Sequence, residues 1–536
     1  MKRIVSIALI LTLLLALTAC GGADNTEQTT APTVANENEK PKVDGSVIAL
    51  TLSGYDISAS ELNYFYNDAI TQWKNQVGPY ASMLGLNLSQ PLDKQIYDQE
   101  SNKTWADYFI DQAIDSAKTT YSLYSAAEKD GYTISEAEKS QLDGMKKNMQ
   151  DYVNQNGMNS IDELVENMYG PTATFDSYYR YAEITLTAGS YFDAHRNSLS
   201  DSYTAEIIDS YIGDKGYAYS SYSFSSIYLP LDNFKIGGTK GEDGKVTYTE
   251  EEEKAAVDYL KKVVAELAVS ENNTAVKLNV AIALMEDELA AAKGESIPST
   301  HTTVTENTNV QYSKINTIMQ EWLRDPARVS GDIAAIPYES TSTNEDGTDV
   351  KNLRGYYILI FQGVNDNSFA LANVRHILAS FEGGTYNSTT GQKEYSEAEK
   401  AQAKEKAEQL LEQWAQGEAT EESFAQLANK HSTDPGSNTN GGLYEDVYPG
   451  QMVVAFNDWC FDERREVGDT GIVETSYGYH VMYYAGDSEQ TYRNFMASND
   501  KLNEDMNTWQ TELKKTITVD FSDTSILDTG LILANG

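Results

Sequence analysis

The sequence predicts a multi-domain chain: a mainly α domain followed by two related α+β domains, each a small antiparallel sheet with surrounding helices. Three observations carry this. At 536 residues the chain is too long for one ordinary hydrophobic core. From residue 46 to about 215 it reads as a series of capped helices with few internal Gly or Pro. Beyond that point the sequence repeats itself.

Composition narrows the function classes. A hydrophobic fraction of 40% and an aromatic fraction of 10% exclude disorder over the whole chain. Acidic residues number 81 and basic ones 40, a formal net charge of −41. Nucleic acid and an anionic membrane face would repel such a chain. Two cysteines cannot build a disulfide framework. No G-x-x-x-x-G-K-[ST] motif occurs, which argues against a P-loop ATPase.

The N-terminus carries an address. Lys2 and Arg3 precede an apolar run from Ile4 to Leu17, shorter than the ~20 residues that a spanning helix needs. Such a run fits a signal-peptide core. It closes on Leu17-Thr18-Ala19-Cys20-Gly21-Gly22, which resembles the bacterial lipobox. Residues 1–19 are therefore expected to be a lipoprotein signal peptide, with Cys20 lipidated and the chain anchored at the extracytoplasmic face. A plain secretory signal with an incidental Cys is the alternative. Residues 20–45 hold no aromatic side chain and read as a flexible linker. The remaining thiol, Cys460, suits an extracytoplasmic protein without an internal disulfide.

Residues 46–215 form the helical domain. A short strand at Val47–Leu52 precedes Ser58-Ala59-Ser60-Glu61, a capping-box pattern. Helices are expected over Trp105–Lys129, Ser135–Gln155, Ile161–Met168 and Phe175–Leu199. The tyrosines Tyr178, Tyr179, Tyr181 and Tyr191 read as core and groove wall.

The two copies of the repeat cover residues 216–367 and 368–488. Each starts with a β-type run, Tyr222–Leu229 and then Val374–Phe381. A capped helix follows, with Thr249 and Glu252 in one copy and Ser396 and Glu399 in the other. Trp322, Asp325, Arg328, Gly331 and Asp332 recur at identical offsets as Trp459, Asp462, Arg465, Gly468 and Asp469. Each copy closes on a strand after Gly-Tyr, at Gly355-Tyr356 and Gly478-Tyr479. The acidic run Glu250–Glu253 sits in a first helical turn, where it complements the helix dipole; a metal reading is the weaker one.

The second copy carries chemistry. Its motifs in order are Val374-Arg375-His376-Ile377-Leu378, Phe424-Ala425-Gln426-Leu427-Ala428, Ser432-Thr433-Asp434-Pro435 and Gly441-Gly442-Leu443. Gly450-Gln451-Met452 with Phe456, and Thr475-Ser476-Tyr477-Gly478-Tyr479-His480, follow. Together they resemble the parvulin family of peptidyl-prolyl cis/trans isomerases. The layout of the whole chain resembles the PrsA-like extracytoplasmic foldase lipoproteins of Gram-positive bacteria, and its helical region is similar to the chaperone segment of SurA-like proteins.

The resemblance implies roles. His376 and His480 match the paired central histidines, hydrogen-bonded to each other and to a Thr matched by Thr475. Asp434 stands where the family carries Cys or Asp, near the substrate carbonyl. Leu443, Met452 and Phe456 match the proline pocket, and Tyr477 its rim. The chemistry fits these residue types: an X–Pro bond rotates without bond breaking, so an apolar slot and fixed dipoles suffice. No cofactor and no metal is expected; His376, His431, His480 and Cys460 lack ligand spacing. Two departures stand out. The family usually has Gly-Asp-Leu-Gly where this chain reads Gly442-Leu443-Tyr444-Glu445, and the spacing to Gln451-Met452 is one residue longer. No basic cluster follows His376, which argues against selection of phosphorylated sites.

The repeat alignment sets Ser226 against His376 and Tyr357 against His480. The first copy is thus expected to be degenerate, a spacer or client-binding surface. The expected partners are unfolded or partly folded exported polypeptides containing X–Pro bonds, met at the membrane through the lipid anchor. The alternatives for the residues are satisfied core histidines and, for Asp434 before Pro435, a turn. The alternative for the chain is a non-catalytic holdase with two relic domains. Residues 489–536 are expected to form a helix and tail that pack on the helical domain, through Phe495, Leu502, Met506, Trp509 and Leu513.

Overall fold

Local sequence signals set the helix starts throughout the chain. A computed structural model describes residues 44–344 and 346–521. The segment expected to be a signal peptide, Cys20, nearly all of the expected linker and the end of the tail lie outside the described residues. By internal contact the described chain falls into two units: residues up to Tyr203 together with those from Lys501 onward, and Thr204–Asp500.

The first unit is helical around a small sheet. Strands β1 (Ile48–Leu52) and β2 (Tyr55–Ser58) lead into helices α1 (Ala59–Val77), α2 (Trp105–Lys129), α3 (Glu136–Asn156), α4 (Ile161–Tyr169) and α5 (Phe175–Asp201). Reciprocal capping boxes open α2, α3 and α5, at Thr104–Asp107, Ser135–Glu138 and Thr174–Ser177. The pattern at Ser58 behaves differently from expectation. Ser58 accepts from the Glu61 N–H at 3.2 Å, but the Glu61 carboxylate is buried and accepts from the Tyr121 hydroxyl. Burial raises the Glu61 pKa, and the bond from Tyr121 opposes that rise. Tyr178 and Tyr181 belong to the core, whereas Tyr191 meets Trp509 at 5.9 Å.

Both chain ends build this unit. A final strand, Val519–Phe521, pairs antiparallel with β1. On the last helix (Tyr492–Lys515), Leu502 and Met506 are buried and Trp509 stacks on His195 with ring centroids 3.8 Å apart. Two boundaries differ from the sequence expectation. Helix α6 (Ala205–Ile212) and the first turns of the last helix group with the second unit, where Phe495 stacks on Tyr448 at 4.6 Å.

The second unit contains the repeat. In the first copy, strand β3 (Ser221–Pro230), helices α7 (Glu250–Leu267) and α8 (Ala275–Lys293), strand β4 (Thr305–Gln311), helix α9 (Thr317–Leu323), and strands β5 (Ile333–Thr343) and β6 (Asp349–Asn365) form an antiparallel sheet of order β4-β3-β6-β5. The second copy runs β7 (Ala370–Ser380), α10 (Glu397–Gln416), α11 (Glu421–His431), β8 (Leu443–Val447), α12 (Val454–Cys460), β9 (Thr470–Thr475) and β10 (Gly478–Thr491). Its sheet order, β8-β7-β10-β9, is the same.

The repeated Trp-Asp-Arg-Gly-Asp signature does one structural job twice. Arg328 lies 4.4 Å over the Trp322 ring and donates to the Trp322 carbonyl; Arg465 lies 4.0 Å over Trp459 and donates likewise. Asp325 and Asp332 pair with Arg328, as Asp462 and Asp469 pair with Arg465. The signature therefore fastens the loop that follows α9 and α12; it is not part of the chemistry. Between Gly331-Asp332 and Gly355-Tyr356 the first copy carries about 14 residues more than the second does between Gly468-Asp469 and Gly478-Tyr479, and they lengthen the β5–β6 hairpin, which stays paired out to Thr343 and Asp349.

Candidate active site

Strand phase brings the site together on one face of the second sheet. His376 on β7 lies opposite Met482 on β10, and Leu378 lies opposite His480. Alternation of side chains across a strand puts all four on the same face. That face is closed by Phe456 from α12, whose ring stands edge-on to both imidazoles at 5.4 Å. Gly442 lets the preceding loop approach: its φ is +72°, its carbonyl accepts from the His376 N–H, and a Cβ there would sit 2.2 Å from the His376 carbonyl oxygen.

A continuous hydrogen-bonded chain results. His376 Nδ1 and His480 Nδ1 are 2.9 Å apart, and His480 Nε2 is 2.8 Å from the Thr475 hydroxyl. On the other side, His376 Nε2 lies 3.1 Å from Asp434 Oδ2 and 3.0 Å from the Ser437 hydroxyl. Ser437 and Tyr444 each donate to Asp434 Oδ2, at 2.6 and 3.0 Å. One assignment of protons uses every partner. Thr475 donates to His480 Nε2, His480 donates from Nδ1 to His376 Nδ1, and His376 donates from Nε2 to the carboxylate.

The electrostatics agree with that assignment. The His376 hydrogen bond, helped by Ser437 and Tyr444, holds the Asp434 carboxyl well below the usual carboxylate range. Burial, reinforced by the neighbouring His376, pulls His480 down to about 4, so it is neutral at pH 7. Burial and the Asp434 charge push the Tyr444 hydroxyl up, which keeps it a donor.

Exposure separates support from contact. His376 and His480 are 3% and 6% exposed, and Phe456 is 2% exposed. The Asp434 side chain is 18% exposed. Met452 is half-buried, and Tyr477 stands exposed on the β9–β10 turn. The imidazoles and Phe456 are thus the floor of the site, while Asp434, Met452 and Tyr477 offer accessible surface.

Leu443 needs correction. It pairs with Arg375, one residue out of phase with His376, so it points to the opposite face of the sheet. Tyr444 pairs with Val374 and takes the place expected of Leu443, its ring 5.4 Å from that of His376. Sequence reasoning also missed Ser437. The available signals were the Asp434-Pro435-Gly436-Ser437 turn spacing and the phase of the β8 strand. Cys460 is buried beneath the site with its thiol pushed up to about 12 by desolvation, so it is inert packing. Among the described residues no group of three or more His, Cys, Asp or Glu is arranged to hold a metal ion.

Comparison with known proteins decides the family of this part of the chain. Residues 357–487 match the PPIC-type PPIASE domain, a span that holds every side chain of the network. Residues 357–487 form a parvulin-type domain. The chain is similar to foldase protein PrsA 1 of Listeria innocua, 36% identical over 69 residues, 13% of this chain and 24% of the relative. It is also similar to foldase protein PrsA of a Geobacillus species, 44% identical over 62 residues, 11% of this chain and 22% of the relative. The chain thus spans about a quarter of the length of the curated relatives that it matches. A solved PrsA structure from Bacillus cereus aligns at 25% identity with a TM-score of 0.17, covering 31% of this chain and 57% of that one. The parvulin-type match begins within β6, earlier than the start expected at residue 368.

The same register exposes what the first copy lacks. There Ser226 lies opposite Leu359 and Tyr228 opposite Tyr357, so Ser226 and Tyr357 stand where His376 and His480 stand in the second copy.

Proposed function

We propose that this chain is a membrane-anchored extracytoplasmic foldase whose second α+β domain, residues 368–488, is a peptidyl-prolyl cis/trans isomerase acting on exported polypeptides. The observation that carries this is the hydrogen-bonded chain from Thr475 through His480 and His376 to Asp434, set within the parvulin-type match. The foldase names of the relatives and the lipobox-like Leu17–Cys20 segment support the cellular setting.

The mechanism follows from what rotation of an imide requires. The barrier is about 18–20 kcal/mol because resonance must be lost. In the twisted state the nitrogen regains its lone pair and the carbonyl loses conjugation. Groups already oriented toward that charge distribution lower the barrier without reorganising. Asp434 is the group placed to act on the substrate, a carboxylate fixed by three donors and open on one side. His376 and His480 act through it: they are positioning residues that hold its orientation and charge. Met452 and Tyr477 take the pyrrolidine ring and its neighbours, and the Phe456 floor keeps water from the buried imidazoles.

The test is isomerisation of a proline-containing tetrapeptide by the chain from residue 21 onward. The expected result is acceleration that falls by about tenfold or more in His376→Ala, the loss of one hydrogen bond to a charged group. A wild-type chain with no acceleration would support the holdase alternative.

A further inference from the structure

The first copy did not simply lose its site; its equivalent face carries an aromatic surface. Tyr357 replaces His480 in the register, Tyr228 replaces Leu378, and Tyr338 lies opposite Gly355 as Thr475 lies opposite Gly478. The three rings form one cluster, with centroids 4.8 Å apart for Tyr228–Tyr357, 5.8 Å for Tyr228–Tyr338 and 6.2 Å for Tyr338–Tyr357. All three are half-buried, so part of each ring is open to solvent. Ser226, in the place of His376, accepts from Asn307 at 3.1 Å, and among the described residues no carboxylate is hydrogen-bonded to it.

The surface continues into a groove of about 850 Å³. Ile336, the strand partner of Tyr357, forms part of its wall together with Tyr217 and Trp322. Its charges are unbalanced in a defined way. Three carboxylates, Asp214, Glu321 and Asp325, line it against two guanidinium groups, a net charge of −1: Arg328 lies over Trp322 at 4.4 Å and pairs with Asp325, whereas Arg324 is exposed, lies over Tyr217 at 4.8 Å and keeps its charge. Asp214 and Glu321 are exposed and make no ion pair among the described residues. A cationic occupant complements them.

We propose that this face of the first copy is a non-catalytic docking site for an extended, proline-containing, lysine- or arginine-bearing segment of a client polypeptide. Proline-rich extended segments dock on aromatic-lined grooves because their conformation is preformed and their rings pack on aromatic faces. The site binds but does not isomerise, since the carboxylate and imidazole chain are replaced by phenols. The proposal rests on the foldase reading for its clients, and holds a client by one segment while the second copy works on another.

The test is calorimetric titration of the chain from residue 21 onward with the peptide (Lys-Ala-Pro)₃, alongside isomerisation of a short tetrapeptide. The Tyr338→Ala/Tyr357→Ala double variant is expected to bind one peptide fewer per chain, with tetrapeptide isomerisation unchanged. The Tyr338→Phe/Tyr357→Phe variant keeps the wild-type count. Because Asp214 and Glu321 are exposed, Asp214→Lys/Glu321→Lys tests the site without disturbing a core; affinity there should fall by about tenfold, with a weaker salt dependence. An unchanged count in the alanine variant, unchanged affinity in the lysine variant, or equal binding of (Lys-Ala-Ala)₃ overturns the proposal. Loss of isomerisation in the wild-type chain with tyrosine-dependent binding intact would overturn only the catalytic reading.

Discussion

His480 and Asp434 show how one residue's environment sets another's state. Burial keeps His480 neutral, and a neutral His480 has a single proton to give to His376, which leaves the His376 Nε2–H for the carboxylate. The same burial has a measurable cost in acid. The folded-state pKa of His480 is lowered from 6.5 to about 4, so its unfolded form binds the proton first. Stability from this group is present above pH 6.5, is lost as the pH falls toward about 4, and changes no further below that. His480→Gln is therefore expected to flatten the melting temperature of the second unit across this window. A wild-type melting curve indifferent to pH between 4 and 6.5 would contradict the buried neutral imidazole. At this scale the sequence was legible where a residue type is rare and its motif long: with five histidines in the chain, His376 and His480 stood out. Tyr444 and Leu443 did not, because only the phase of β8 decides which of two neighbours faces the site. Glu61 misled for a related reason. Its spacing from Ser58 suits a capping box, but its partner Tyr121 is sixty residues away in sequence.

Among the elements, the repeat was legible because it is written in residues that fasten backbone. Trp322 and Trp459, each covered by an arginine held between two aspartates, keep their offsets since any shift would unstack the pair. The three-tyrosine surface was not legible from spacing, because Tyr228, Tyr338 and Tyr357 come from three strands and meet only through the register of the sheet. The last helix joins pattern to packing. Its Leu502, Met506 and Trp509 lie at helical spacing, and the first two are buried while the third stacks on His195. Met506→Ala should lower the stability of the first unit by about 2–5 kcal/mol, as truncation of a buried methionine generally does, and leave tetrapeptide isomerisation unchanged. Denaturant melts followed by circular dichroism measure this; an unaltered midpoint would show that the helix contributes nothing there.

For the whole molecule, the division of labour is between two copies of one fold. Both keep the sheet order, the register and the arginine clasp, and only the second keeps the imidazoles and the carboxylate. A net charge of −41 spread over such a chain favours solubility and opposes self-association, and it attracts cationic polypeptides over distances within the screening length. In the proposed mechanism a carboxylate oriented by two buried imidazoles eases rotation about X–Pro bonds. The most direct measurement is the catalysed cis-to-trans rate of an Ala-Pro tetrapeptide for the wild-type chain and for Asp434→Asn, with both shown to be folded. The wild type is expected to accelerate the exchange, and the variant, which keeps the shape but loses the charge, to fall by about a hundredfold. Equal rates for the two would contradict it.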